Sequence, residues 1–295
     1  CMAAVRRSDR PVAAVGATLL PANECRIDAD DKVEPVLATR NYWVGCQTVE
    51  YLTAFLITRP ALCAHDALLF VSGGFGLFQR DAVLAVGGYR LKHLGEDLDI
   101  SIRIQRHFRE RGTPYAFLHV ADAIVWTEFP DSYRVLARQR RRWHWGLAQV
   151  IAEHHGILQG REYGRFGRIG YGTLHMKDWW GTAVETGSYV LLALITIGGW
   201  LNVPAFIAVL ICVQALELAN SGFGLAILAR SAPVFRRRRD FAWMMFWTVT
   251  AGLGYRQLNL AWRIQASLSR TQEWGEMERG GSATPVMALA DGTRG

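Results

Sequence analysis

The sequence predicts an α/β domain followed by an α-helical membrane region. Three features carry that prediction. Short β-rich runs alternate with amphipathic helical patterns up to about residue 150. Long apolar runs then fill the chain from about residue 176. Basic clusters at 138–142 and 236–239 flank apolar stretches, as expected beside an anionic membrane surface or an anionic ligand. The 295 residues leave room for one large domain or two modest ones.

The elements follow in order. "VAAVGATL" (residues 12–19) is a β-rich run, and a polar loop carries the chain to about Arg40. "GCQTVEYLTAFLI" (45–57) has its apolar residues at helical spacing. "DALLFVSGGFGLF" (66–78) predicts a strand running into a glycine-rich turn, and "RDAVLAVGG" (80–88) a short helix closed by glycines. "DLDISIRIQRHFRERG" (97–112) is amphipathic, with Ile100, Ile104 and Phe108 stacked at i+4 and Gly112 as its stop. "PYAFLHV" and "AIVWTEF" predict two more strands. Pro130, Asp131 and Ser132 then open the helix that carries the arginine run.

Beyond that helix, "YGRFGRIGYGTL" predicts an amphipathic segment lying on a membrane surface, within residues 151–175. Two spans are expected at about 178–201 and 203–228, joined by "NVP" and edged by tryptophans. Such a hairpin returns the chain to the side it left. There "RSAPVFRRRRD" (230–240) supplies positive-inside charge, so the first 150 residues and the tail from 263 are expected in the cytosol. Residues 241–262 begin with only about fifteen apolar positions, which suits a re-entrant or interfacial helix better than a full span. Glu217 is the one acid in the second span; it either pairs with a neighbouring helix or lines a path.

Composition excludes some classes. The net charge of +7 is concentrated in the two clusters, and no nucleic-acid module accompanies them. The five cysteines have neither metal nor redox spacing, as expected of reduced thiols in the cytosol. There are no internal repeats.

Two stretches bear chemistry. "LGEDLD" (94–99) places three acids at a helix N-terminus, where free N–H groups and the macrodipole stabilise carboxylates. Capping accounts for at least one of them. A carboxylate at such an edge is also placed to take a proton from a hydroxyl. In "QRRRW", a step of about 100° per residue puts Gln139, Arg142 and Trp143 on one face with Val135 and Gly146, and turns Arg140 and Arg141 away. A guanidinium forks onto phosphate oxygens, and an indole offers a platform to a sugar ring. A basic helix on lipid headgroups has the same composition, and Arg140 and Arg141 are better explained by headgroups or by the domain's own acids.

The order "SGGFG", "GED", "QRRRW", then membrane spans resembles the membrane-bound family 2 glycosyltransferases, among them cellulose synthase, hyaluronan synthase and the bacterial poly-N-acetylglucosamine synthases. The likeness extends to "GYRQLNLAWR" near the end. It implies the C-terminal half of a GT-A catalytic domain, ending near residue 150, and inverting transfer from a nucleotide-diphosphate sugar to a glycan acceptor at the bilayer. Asp97 would be the general base with Glu96 beside it. Gln139 and Arg142 would face the pyrophosphate, Trp143 would stack on the acceptor, and Ser72, Gly73, Gly74 and Phe75 would line the acceptor pocket.

The family pattern also implies a divalent cation (Mg or Mn) held by a DxD motif before "VAAVGATLL". No such motif stands there, and "IDADD" (27–31) lies on the wrong side of that run and suits a polar turn. The chain opens without an initiator Met or signal peptide and enters its β-rich run almost at once. It is therefore expected to lack the nucleotide-binding first half and to be inactive alone. The alternative is a non-catalytic membrane scaffold or one subunit of a split transferase. A hydrolase with paired carboxylates is excluded, because adjacent Glu96 and Asp97 cannot flank a bond from opposite faces.

Overall fold

The computed structural model describes residues 1–27, 33–34, 39–90, 93–231 and 238–269. Residues 28–31 of "IDADD" lie outside them, as do 236–237 of the second basic cluster. After a short helix α1 (Met2–Arg7), β1 (Val12–Pro21) runs through the centre of a three-stranded sheet. The strands β2 (Arg26–Ile27) and β3 (Val33–Glu34) form a separate two-stranded ladder. Then come α2 (Tyr42–Thr53), a π-turn at Ala54–Thr58, α3 (Arg59–Ala64), β4 (Gly76–Phe78), α4 (Arg80–Ala85), α5 (Glu96–Glu110), β5 (Ala116–Thr127) and α6 (Tyr133–His154). The remainder is helical: α7 (Gly181–Ile197), α8 (Val203–Ser231), α9 (Arg238–Thr250) and α10 (Arg256–Leu268).

The α/β layering expected up to residue 150 is present as a mixed sheet, with β5 parallel and β4 antiparallel to β1. From Ala13 to Pro21 every residue of β1 is buried, as a central strand covered on both faces requires. Two expectations change. The strand expected from Asp66 is a ladder only at Gly76–Phe78. The backbone before the glycine turn is satisfied by helix side chains instead: Gln105 Nε2 donates to the Leu68 and Leu69 carbonyls at 3.0 and 2.7 Å, and the Val71 amide reaches Ser101 Oγ at 3.3 Å. The two strands expected after Gly112 are one, β5. Between Val120, paired with Ala17, and Ile124, paired with Thr18, three residues bulge out, and Thr18 Oγ1 donates to the Ala121 carbonyl at 2.9 Å.

The helix expected at 97–112 is α5, and Gly112 closes it with φ +63°, a conformation costly for other residues. Its Ile100 and Ile104 are buried against β1 and β5 side chains, with Phe108 packed alongside. The segment expected on lipid departs from expectation. Tyr163, Phe166, Tyr171 and Leu174 are buried in a cluster with Leu98, Ile102, Val150 and Ile151, so protein already covers those side chains. The boundary drawn at residue 150 falls inside α6.

Among the described residues, two helices, Phe166–Ile197 and Val203–Ile227, are long and apolar enough to cross a membrane. The first begins inside the buried cluster just described, which leaves α7, about 25 Å long, as its projecting part. Glu217 is exposed on α8. In the third apolar segment, Met244 and Trp247 are buried against α2, where a Cβ on Gly45 would stand 2.6 Å from the Trp247 ring. Phe241, Phe246 and Leu253 face outward.

Two histidines packed into this fold have lowered pKa values. His144 is buried, stacked on Trp179 and 2.9 Å from Ser267 Oγ; burial, then Arg263, push its pKa down to about 4. Burial, then Arg59, do the same to His119, also to about 4. Between the ordinary histidine value of 6.5 and 4 the unfolded chain binds protons that these rings refuse, so stability falls as pH falls through that window. Thermal unfolding followed at pH 7 and pH 4.5 should show the loss, and His144→Gln should reduce its slope.

Candidate active site

The site is built on three segments that meet at the N-terminus of α5. Gly95 precedes that helix and provides no side-chain cap, leaving its first amides to the acids that follow. Asp97 Oδ1 accepts from the Leu98 amide and Oδ2 from the Gly73 amide, each at 2.8 Å. The glycine turn and the acidic helix start are thereby joined through one carboxylate. A Cβ on Gly73 would lie 3.3 Å from Asp97 Oδ2, and one on Gly74 would lie 2.9 Å from Leu19 Cδ1. Both glycines therefore contribute backbone at close range. The turn is closed by the Phe75 amide donating to the Ser72 carbonyl at 3.0 Å, with both side chains half-buried.

The three acids divide by environment. Asp97 and Glu96 are half-buried, and Glu96 has no hydrogen bond or ion pair among the described residues. Asp99 is wholly buried, with Arg103 Nε at 2.8 Å and His154 Nε2 at 3.3 Å. Burial raises its pKa, but the bonds from His154 and Arg103 outweigh that and hold it below the ordinary value. Asp99 thus holds α5 to α6, and Asp97 is left facing the turn.

The third segment is α6. A Cβ on Gly146 would fall 2.6 Å from Gly95 N and 2.9 Å from Leu94 C, so the helix touches the "GED" loop backbone to backbone. Gln149 Oε1 accepts the Leu94 amide at 3.0 Å beside this contact. The stripe one and two turns back from Gly146 is Trp143, Arg142 and Gln139. Trp143 is exposed, Arg142 half-buried, and Gln139 has its Oε1 buried without a partner.

Arg140 corrects the direction read from the helical wheel. It is buried, it forks onto Glu50 with 2.7 and 2.8 Å bonds, and it donates to Tyr255 Oη at 2.8 Å. Its guanidinium also lies 4.6 Å over the Trp143 ring. A wheel separation of about 60° from Trp143 is less than the reach of an arginine side chain, so this residue curls inward. Burial opposes its charge, and Glu50 with Tyr255 and Tyr51 more than offsets this, so its pKa is raised. Of the two explanations open for Arg140, a headgroup or one of the domain's own acids, the structure has the acid. Arg141 stands elsewhere, in an open cleft with Arg134, Arg138 and Gln265.

Glu50 and Tyr255 were not singled out in the sequence. The available signal was that Glu50 is the lone acid in the stretch 41–64. The one group of candidate metal ligands among the described residues is His93, Asp99 and Glu153. Its cationic partners are already present: Arg90 pairs with Glu153 and lies 3.8 Å from Asp99, and Arg103 and His154 hold the rest. That set does not fit a divalent cation.

With this geometry in place, the comparisons with known proteins decide the family. The profile of "Glycosyl transferase family group 2" matches residues 32–255. The chain belongs to glycosyltransferase family 2. It is 27% identical over 97 residues to "Probable glucomannan 4-beta-mannosyltransferase 7" of Oryza sativa subsp. japonica, which covers 33% of this chain and 16% of the relative. It is 42% identical over 53 residues to "Chitin synthase 8" of Mycosarcoma maydis, covering 18% of this chain and 2% of the relative. A second mannosyltransferase, "Probable glucomannan 4-beta-mannosyltransferase 1" of Arabidopsis thaliana, is 24% identical over 97 residues, with 33% and 16% covered. The chain thus aligns with 16% or less of the length of these relatives.

Two outcomes test the assembly of the site. A methyl at Gly146 meets only backbone, so Gly146→Ala should shift the "GED" loop. In a catalytic site a displacement on the order of 1 Å costs on the order of 100-fold in rate, to be read in a sugar-transfer assay of the protein. Glu50→Ala strands the buried Arg140 and should destabilise by about 3 kcal/mol in chemical denaturation.

Proposed function

We propose that this chain supplies the acceptor side and the catalytic base of an inverting sugar transfer, from a nucleotide-diphosphate sugar to a growing polysaccharide at a membrane. The observation that carries the reading is Asp97: a carboxylate fixed by two backbone amides, at the junction of the glycine turn and the acidic helix start. The family match and the mannosyltransferase and chitin synthase relatives support a hexose donor and a glycan acceptor. The two apolar helices support attachment to a bilayer, with the domain on the cytosolic side by the charge of 230–239.

In this mechanism Asp97 takes the proton of an acceptor hydroxyl. The hydroxyl oxygen attacks the anomeric carbon from the face opposite the diphosphate, the bond from that carbon to the phosphate oxygen breaks, and the configuration inverts. Arg142 neutralises charge gathering on the leaving diphosphate, and Trp143 offers its face to the acceptor ring. Gln139, with an unpartnered Oε1 on the same stripe, is available to a donor group of the bound substrate. The glycine turn lets substrate approach its backbone between Ser72 and Phe75. The implied divalent cation finds no fitting ligand set among the described residues, and no step is assigned to it.

Membranes carrying the protein, given radiolabelled nucleotide-diphosphate mannose or N-acetylglucosamine, should incorporate label into polymer. Asp97→Asn should abolish incorporation while sparing donor binding, and Arg142→Ala should cost far more than Arg141→Ala. Unchanged turnover in Asp97→Asn overturns the reading. A native protein that incorporates nothing favours the scaffold.

A further inference from the structure

The helical stretch 41–64 contains one base, Arg59, at the start of α3. Its guanidinium is held between two rings, 4.2 Å from the centroid of Phe55 and 4.7 Å from that of Phe70. Stacking of this kind uses the faces of the guanidinium and leaves the N–H edges free. Those edges have no hydrogen bond and no ion pair among the described residues. Every other arginine packed into this part of the domain has an oxygen partner: Arg103, Arg109 and Arg140 all do.

The position of Arg59 points to what the free edges face. Phe70, which clamps it, stands three residues before Gly73, whose amide holds Asp97. Asp97 is also the acid whose charge supports Arg59 most, against a burial that pulls its pKa down to about 10. Protein therefore crowds this guanidinium, yet the side chain is only half-buried, so it lines a recess. Tyr51 borders the same region: it senses both Arg59 and Asp97, its ring lies 5.5 Å from Phe55, and its hydroxyl has no hydrogen bond among the described residues. Arg59 and Asp97 stand further apart than the 4.0 Å of an ion pair, so each retains capacity for a third party.

We propose that Arg59 is an acceptor-binding residue: clamped between Phe55 and Phe70, it donates to an oxygen of the acceptor's terminal sugar and turns that sugar's nucleophilic hydroxyl toward Asp97. A neutral polyol suits the recess for an electrostatic reason. The carboxylate and the guanidinium balance each other, and one only accepts hydrogen bonds while the other only donates. A sugar with hydroxyls does both. A diphosphate brought to the same place meets the Asp97 carboxylate and is repelled. The inference rests on the transferase reading above and adds a residue that the reading does not use.

The test employs the membrane-embedded protein with nucleotide-diphosphate mannose as donor and β-1,4-mannohexaose as acceptor, and the corresponding N-acetylglucosamine donor with chitohexaose. Arg59→Gln should raise the acceptor KM at least tenfold, while donor affinity and the slow transfer of sugar to water stay within twofold. Arg59→Lys keeps the charge and loses the planar fork, and should fall between the two. An unchanged acceptor KM in both variants overturns the inference, as does a parallel loss of donor affinity, which would place Arg59 on the phosphate side. Circular dichroism of the two variants separates a binding defect from misfolding. If native protein transfers to neither acceptor, the function proposed above fails, and hexaose binding by tryptophan fluorescence still reads Arg59: affinity equal in native protein and Arg59→Gln, or no binding by either, overturns this inference too.

Discussion

A buried guanidinium must keep company with an anion, and that requirement at Arg140 organises much of the molecule. Unpaired, its charge would cost several kcal/mol to hold away from water. Glu50 meets the demand from α2, and Tyr255 reaches in from the far end of the chain. Three segments separated by 90 and 115 residues are thus brought to one point. Around it lie Leu52, Leu136, Met244, Trp247 and Trp262, a single apolar cluster drawn from α2, α6, α9 and α10. The C-terminal helices are therefore part of the body that carries the site. Trp143 lies beneath the same guanidinium, so the ring proposed as a sugar platform is braced by that ion pair.

The second constraint is steric. Gly146 and Gly95 let two backbones touch where any side chain would separate them, and Gln149 seals the contact. On the other flank Gly73 does the same for Asp97. Asp97, the proposed base, thus sits in a frame made of main chain, with little rotameric freedom to lose on binding a substrate. Asp99, two residues on, spends its charge on Arg103 and His154 and keeps the helix start from drifting. One short acidic run supplies both the proposed base and its anchor.

How much of this could be read from the sequence depended on range. The helix at 97–112 and its glycine stop were legible because periodicity and φ preference are local, and so were the two long apolar helices. The importance of Gly146 was visible as space on a helix face, though not what would fill it. Arg140 was misjudged because a wheel gives the direction of Cβ, and a long side chain ends elsewhere. The strand expected before the glycine turn was equally hidden: "LLFV" has the composition of a strand, but whether a ladder or a helix side chain meets its amides depends on Gln105, some 36 residues away. "YGRFGRIGYGTL" has an amphipathic pattern that lipid and protein would satisfy alike, and only the packing shows Phe166 and Tyr171 turned inward.

The stretch held by Gln105 and Ser101 has a further consequence. A wall secured by a sheet ladder can change only in steps of whole residues, since register is quantised by the pleat. A wall secured by two side chains is free of that rule. Exchanging Gln105 or Ser101 for a residue of different length would slide Leu68 to Val71 by fractions of a residue, and with them Phe70 and the turn beyond. That segment is in this sense an adjustable spacer. It offers a route by which the acceptor side proposed here could be fitted to glycans of different girth while the strands behind it stay as they are.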